Sequence, residues 1–230
     1  MLNKMAIAIR DLFFPHYCLG CAADFINAKE VICPRCKISL PETHFINSSH
    51  NTIEKIFWGR IPIEQATALY YFNKHGLVQQ LLISLKYKAN IYSGIFLGQA
   101  LGKSLAASSR FNDIDAIVPL PLHPKKEYTR GYNQAMIIAQ GMQEKWDKPV
   151  LEKSVIRLVD TKTQTHENRI SRWENMRNIF YISNPESLQN KHILLIDDVI
   201  TTGATLEACG EAILSVPGTK LSIAAVAYTL

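Results

Sequence analysis

The chain has 230 residues, 47% of them hydrophobic and 20% charged. This is a globular composition rather than a disordered one, enough for one medium domain and a small one. The formal net charge of +5 is compatible with anionic partners and specifies none. The apolar start, Met1 to Phe14, is broken by Lys4, Arg10 and Asp11, so it lacks the core of an export signal. No apolar run reaches the ~18 residues of a spanning helix. The reading is a cytoplasmic protein with reduced thiols and no membrane insertion.

Residues 1–60 hold four of the five cysteines and no long periodic segment; 49–60 read as a connector. Cys18-x2-Cys21 and Cys33-x2-Cys36 stand eleven residues apart. Two such knuckles place four thiolates around one tetrahedral metal, and a reduced compartment argues against two disulfides. The residues favour Zn²⁺ over a redox pair or an empty site. Four thiolates leave no open position, so that zinc is structural.

From Ile61 to the end, apolar runs alternate with helical patterns, which predicts an α/β domain over 61–230. Strands are expected at Ala66–Phe72, Ala116–Val118, Ile193–Ile196 and Leu221–Tyr228. Helices are expected at His75–Leu85, Ile91–Ala107, Gln134–Trp146 and Ala204–Leu214. The apolar stretch Ile193–Ile196 suits a parallel strand covered on both faces.

After the second of these strands comes Pro119-Leu120-Pro121-Leu122-His123-Pro124-Lys125-Lys126, then Arg130-Gly131-Tyr132-Asn133-Gln134-Ala135. The prolines stiffen this stretch, and Lys125, Lys126 and Arg130 give it cations. A stiff basic loop at a strand's carboxyl end suits a pyrophosphate; the plainer alternative is a surface turn. Between Arg157 and Asn178 the chain is polar and basic, with Gln164, Arg169 and Arg172. It reads as a long lid loop or a solvated connector.

The most informative stretch is Ile193-Leu194-Leu195-Ile196-Asp197-Asp198-Val199-Ile200-Thr201-Thr202-Gly203-Ala204-Thr205. A buried strand delivers two acids and a tight turn to the carboxyl edge of a sheet, where ligands bind in open α/β folds. Small residues let backbone N–H groups approach an anion, and the helix start adds unpaired donors. The turn Thr201, Thr202, Gly203, Ala204, Thr205 therefore suits a phosphate monoester. Asp197 and Asp198 suit two vicinal ribose hydroxyls, or a Mg²⁺ shared with a pyrophosphate.

This order resembles the phosphoribosyl pyrophosphate (PRPP) motif of type I phosphoribosyltransferases: four apolar residues, two acids, an apolar and a variable residue, then Thr-Thr-Gly and Thr. With the cysteine module, Leu85-Lys86-Tyr87, Pro121-Leu122-His123-Pro124 and Arg130–Ala135, the chain resembles the ComF family from Cys18 to Tyr228. Lys125 and Lys126 stand where that family often has arginine, which keeps the charge but loses bidentate geometry.

The resemblance implies a type I phosphoribosyltransferase-like parallel sheet flanked by helices, after a small zinc-ribbon-like module. It assigns the ribose hydroxyls to Asp197 and Asp198, as catalytic residues, and the 5-phosphate to Thr201–Thr205. The pyrophosphate falls to Pro121, Leu122, His123, Lys125 and Arg130, and a flexible loop to Arg157, Gln164, Arg169 and Arg172. Mg²⁺ accompanies PRPP. Two functions stay open. One is a binding module of DNA uptake, with single-stranded DNA and uptake or replication proteins as partners. The other is a transferase moving phosphoribosyl to a nitrogen nucleophile.

Overall fold

The computed structural model describes residues 16–25, 30–158 and 179–229. Two short strands, β1 (His16–Tyr17) and β2 (Asp24–Phe25), pair antiparallel, and α1 (Pro34–Ile38) follows. Then come α2 (Thr52–Phe57), β3 (Gln65–Phe72), α3 (Leu77–Tyr87), α4 (Ile91–Ala106), β4 (Ala116–Pro119), α5 (Pro124–Arg130) and α6 (Gln134–Gln143). The chain closes with β5 (Val155–Arg157), β6 (Phe180–Ile182), β7 (His192–Ile200), α7 (Ala204–Leu214) and β8 (Lys220–Thr229).

The main sheet has the order β3-β8-β7-β4, and every pairing in it is parallel. Side chains alternate across a strand, so β7 feeds both layers. Leu194 and Ile196 pack with Leu81, Leu85, Leu97 and Ile138 of α3, α4 and α6. Ile193 and Leu195 pack with Ile53 and Phe57 of α2 and with Leu206, Cys209 and Ile213 of α7. This is the expected α/β sheet, covered on both faces. Cys209 is fully buried, a core side chain rather than a reactive thiol.

Three differences from the sequence reading bear on function. First, β7 does not stop at Ile196. It stays paired with β8 as far as Ile200 opposite Tyr228, so both acids lie inside the strand. Second, the proline-rich loop is partly helical. Pro124 stands in the first turn of α5, and His123 Nδ1 accepts the Lys125 N–H at 3.2 Å. A proline there is preorganised and gives up a donor that would be unpaired anyway. Third, the connector contains α2, capped by Asn51, whose Oδ1 accepts the N–H groups of Ile53 and Glu54.

Helices α4 and α6 pack backbone to backbone. A Cβ placed on Gly98 would sit 2.1 Å from the Ile138 carbonyl oxygen, and one on Gly141 would sit 2.4 Å from that of Ile95. Gly94, Gly98 and Gly102 recur at every fourth residue and line one face of α4. We expect Gly98→Ala to force these helices apart and cost about 1–3 kcal/mol in urea unfolding, the range for overpacked cores. An unchanged midpoint would contradict this packing.

Candidate ribose-phosphate site and cysteine cluster

The turn from β7 into α7 depends on Gly203. Its φ of +74° is left-handed, where a side chain is strained. The space is closed as well: a Cβ would meet Ile56 Cγ2 at 2.9 Å and Phe57 Cε1 at 3.0 Å. Helix α2 thus holds the turn from behind. Arg60, just beyond α2, fixes it further by donating to the Thr202 carbonyl at 2.8 Å and the Ile56 carbonyl at 3.1 Å, and by pairing with Glu207 of α7.

Gly203 caps α7 with no side-chain acceptor. The Ala204 N–H reaches Thr202 Oγ1 only at 3.4 Å. The first-turn amides therefore converge on a cup of about 40 Å³ lined by Asp197, Val199, Ile200 and residues 201–206. Such a helix start suits an anion. A larger cavity, about 660 Å³, lies between the cysteine region and α4, with Ile32, Lys37, Tyr92 and Phe96 in its wall. Its wall is mainly apolar and holds no such convergence of donors. The smaller cup is the one whose lining suits an anion.

The two acids leave β7 on opposite faces. Asp197, half-buried, lines the cup on the α7 side, and its Oδ1 accepts the Asp198 N–H at 2.7 Å. Burial and the neighbouring Asp198 push its carboxyl up to about 8, against the pull of Lys86 and Arg157. Asp198, only 4% exposed, faces the α3 side. There Lys86 Nζ lies 2.5 Å from Asp198 Oδ2, close enough for an ion pair though not aligned as a hydrogen bond.

The segment after β4 runs beside this edge, since the Leu120 N–H donates to the Ile196 carbonyl at 2.8 Å. Pro121, Leu122 and His123 are half-buried there, Arg130 is half-buried at the end of α5, and Lys125 is exposed. Asn133 caps α6 through the Ala135 N–H and donates to the Leu120 carbonyl at 3.0 Å. The Tyr132 hydroxyl donates to the Leu85 carbonyl, and the Arg130 guanidinium lies 5.7 Å from the Tyr87 ring centre. The Arg130–Ala135 run thus joins the loop to the end of α3.

Arg157 stands on β5, where it pairs with Phe180 of β6, and its charge reaches Asp197. Gln164, Arg169 and Arg172 lie outside the described residues. The structure therefore brings together the acids, the turn, the segment after β4 and Arg157. It adds Arg60 and gives Lys86 a partner. The capping pattern Asn51-x-x-Glu54 before Ile53, Ile56 and Phe57 was the available signal for α2 and hence for Arg60.

The Sγ atoms of Cys18, Cys21, Cys33 and Cys36 all lie within 4.8 Å of one another. Cys21 and Cys33 are 3.7 Å apart. A tetrahedron with metal–sulfur arms of about 2.3 Å has edges of about 3.8 Å, so the cluster fits a four-thiolate metal ion. Burial alone would raise the Cys18 thiol. N–H groups of Cys33, Cys21 and Gly20 point at its sulfur and bring it down to about 6. Among the described residues this is the one group of three or more His, Cys, Asp or Glu side chains placed to hold a metal. None of the described helices is long and apolar enough to cross a membrane.

A parallel α/β sheet with an acid pair at its carboxyl edge, followed by an uncapped turn into a helix, is a phosphoribosyltransferase-like architecture. The phosphoribosyl transferase domain family matches residues 128–229. The chain is 37% identical to competence protein F of Haemophilus influenzae over 93 residues, 40% of this chain and 41% of that protein. It is 27% identical to DNA utilization protein YhgH of Escherichia coli K12 over 191 residues, 80% of this chain and 78% of that one. Among solved structures it is similar to a purine phosphoribosyltransferase from Pyrococcus horikoshii Ot3, with TM-score 0.37, 18% identity and coverage of 59% and 78%. The chain is thus similar to the ComF/YhgH competence and DNA utilization proteins, and its C-terminal part matches the phosphoribosyl transferase domain.

The raised Asp197 carboxyl has a consequence for stability. Its folded value lies above the ordinary 3.8, so between about pH 4 and 8 the folded state holds the proton more tightly. This contribution to stability falls as pH rises through that window. Asp197→Asn keeps the acceptor for the Asp198 N–H and removes the charge. Its melting temperature should exceed that of the unmodified protein at pH 8, with the gap closing at pH 5. Parallel curves would contradict the assignment.

Proposed function

We propose that this protein binds PRPP, or a close ribose phosphate, at the turn between β7 and α7 and serves DNA uptake in the cytoplasm. The observation carrying the first part is the uncapped start of α7, with Gly203 held in the left-handed region beside Asp197. In this reading the amides of residues 203–206 and the Thr201, Thr202 and Thr205 hydroxyls take the 5-phosphate. Asp197 and Asp198 approach the ribose from the two faces of β7. Pro121, Leu122, His123, Lys125 and Arg130 border the diphosphate. Mg²⁺ arrives with that diphosphate, and Asp197 offers the freer carboxylate, because Asp198 is engaged by Lys86.

The role in DNA uptake rests on relatives named as competence and DNA utilization proteins. Fold alone does not fix such a role. Single-stranded DNA and uptake or replication proteins are its partners in this reading. Arg157 and the basic residues after it, Arg169 and Arg172 with Gln164, make the phosphate contacts or close over PRPP. A transferase is the second reading, favoured by the juxtaposition of the acids with the segment after β4. Such transfer needs positioning and charge stabilisation rather than a covalent nucleophile. Calorimetry with PRPP and Mg²⁺ should show saturable binding that weakens at least tenfold in Asp197→Asn/Asp198→Asn. Equal affinity in that variant would sink the site. Pyrophosphate release with a base panel would select the transferase; salt-sensitive single-strand binding without release would select the binding module.

We also propose that the chain divides near residue 60 and that Cys18, Cys21, Cys33 and Cys36 hold a structural Zn²⁺. The fit of the sulfur–sulfur spacing to a tetrahedron supports this. Elemental analysis should find about one zinc per chain, and Cys33→Ser should lower that content and the melting temperature together. Metal-free protein with four reactive thiols and an unchanged melt would remove the claim.

A further inference from the structure

Lys86 belongs to a short sequence motif, Leu85-Lys86-Tyr87, to which the reading above gives no task. It stands in the last turn of α3, on the layer opposite the phosphate cup. Its ammonium is 2.5 Å from Asp198 Oδ2. Both side chains are largely withdrawn from solvent, 23% and 6% exposed, so water screens the pair weakly. The turn that carries Lys86 is fixed on both sides. Leu85 accepts from the Tyr132 hydroxyl, and Tyr87 lies under the Arg130 guanidinium. Those partners belong to the segment following β4, whose start is bonded to β7 at Ile196. The end of α3 is therefore a third wall of the site, built by the same contacts that hold the loop.

The Asp198 carboxylate, joined by Asp197 once that group gives up its more tightly held proton, repels an incoming sugar phosphate. The repulsion grows with ligand charge, and PRPP carries a diphosphate that ribose 5-phosphate lacks. Asp197 is relieved on its own face, within reach of the Arg157 charge. On the other face Lys86 is the cation beside Asp198.

We propose that Lys86 is a positioning and specificity residue for the diphosphate group: it neutralises Asp198 in the ligand-free site and is shared with the diphosphate when PRPP binds. The proposal rests on the ribose-phosphate reading above and goes beyond it by distinguishing ligands that share the sugar and the 5-phosphate. A buried pair kept only for stability would make no such distinction.

The test measures Kd for PRPP with Mg²⁺ and for ribose 5-phosphate on the full chain. The variants are Lys86→Met, which keeps the stem without the charge, and Lys86→Arg, which restores the charge. We expect Lys86→Met to weaken PRPP about tenfold or more while changing ribose 5-phosphate less than about threefold. Lys86→Arg should recover most of the PRPP affinity. A parallel loss for both ligands, or an unchanged PRPP affinity, would overturn the role of Lys86 and leave the ribose-phosphate site standing. Unmodified protein that binds neither ligand would overturn both. If Lys86→Met does not fold, Lys86→Gln is measured in its place: a loss of about tenfold for PRPP but not for ribose 5-phosphate supports the role, and an equal effect on both ligands contradicts it.

Discussion

Helix α2 closes on the turn after β7 until nothing larger than a hydrogen atom fits between Gly203 and the side chains of Ile56 and Phe57. This contact fixes where the first amides of α7 point. A left-handed residue at that position lets the chain reverse from strand to helix without a capping side chain, so the amides stay open to a ligand. Arg60 then ties the turn, α2 and α7 into one unit through Thr202, Ile56 and Glu207. The cup depends on a helix that lies about 150 residues earlier in the chain.

The acids obey a different constraint. Because β7 remains a strand through Ile200, neighbouring residues must face opposite layers. One carboxylate meets the α7 side, and the other meets Lys86. Their chemistry diverges accordingly, with one carboxyl raised by burial beside its neighbour and the other balanced by an ammonium. A site that looks like a simple Asp-Asp pair is two environments separated by a sheet.

Much of this was legible beforehand. The apolar run at 193–196 and the Thr-Thr-Gly turn announced a buried strand that turns into a helix through local pattern alone, and α7 occupies the expected span. The spacing of the cysteines likewise announced a cluster. What escaped was set by distant contacts. The continuation of β7 past Ile196 depends on β8 alongside it, and no residue within 197–200 signals that pairing. Asn51 and Glu54 did carry a capping pattern, but only six helical residues follow it. The glycines at 94, 98 and 102 were visible as a period of four. Their meaning lay in α6, forty residues later, where the carbonyl of Ile138 comes within reach.

The cysteine region and the acid pair also share a scaffold. Gly20 leaves room for Cys36 on one side and for Leu77 on the other, and Leu77 is the first residue of α3. Tyr87 lies ten residues further along that helix, a span of about 15 Å. A helix of this length moves as a lever rather than as a string. A displacement of the thiol knot that carries Leu77 with it therefore arrives, at the lever's far tip, as a displacement of the ammonium beside Asp198.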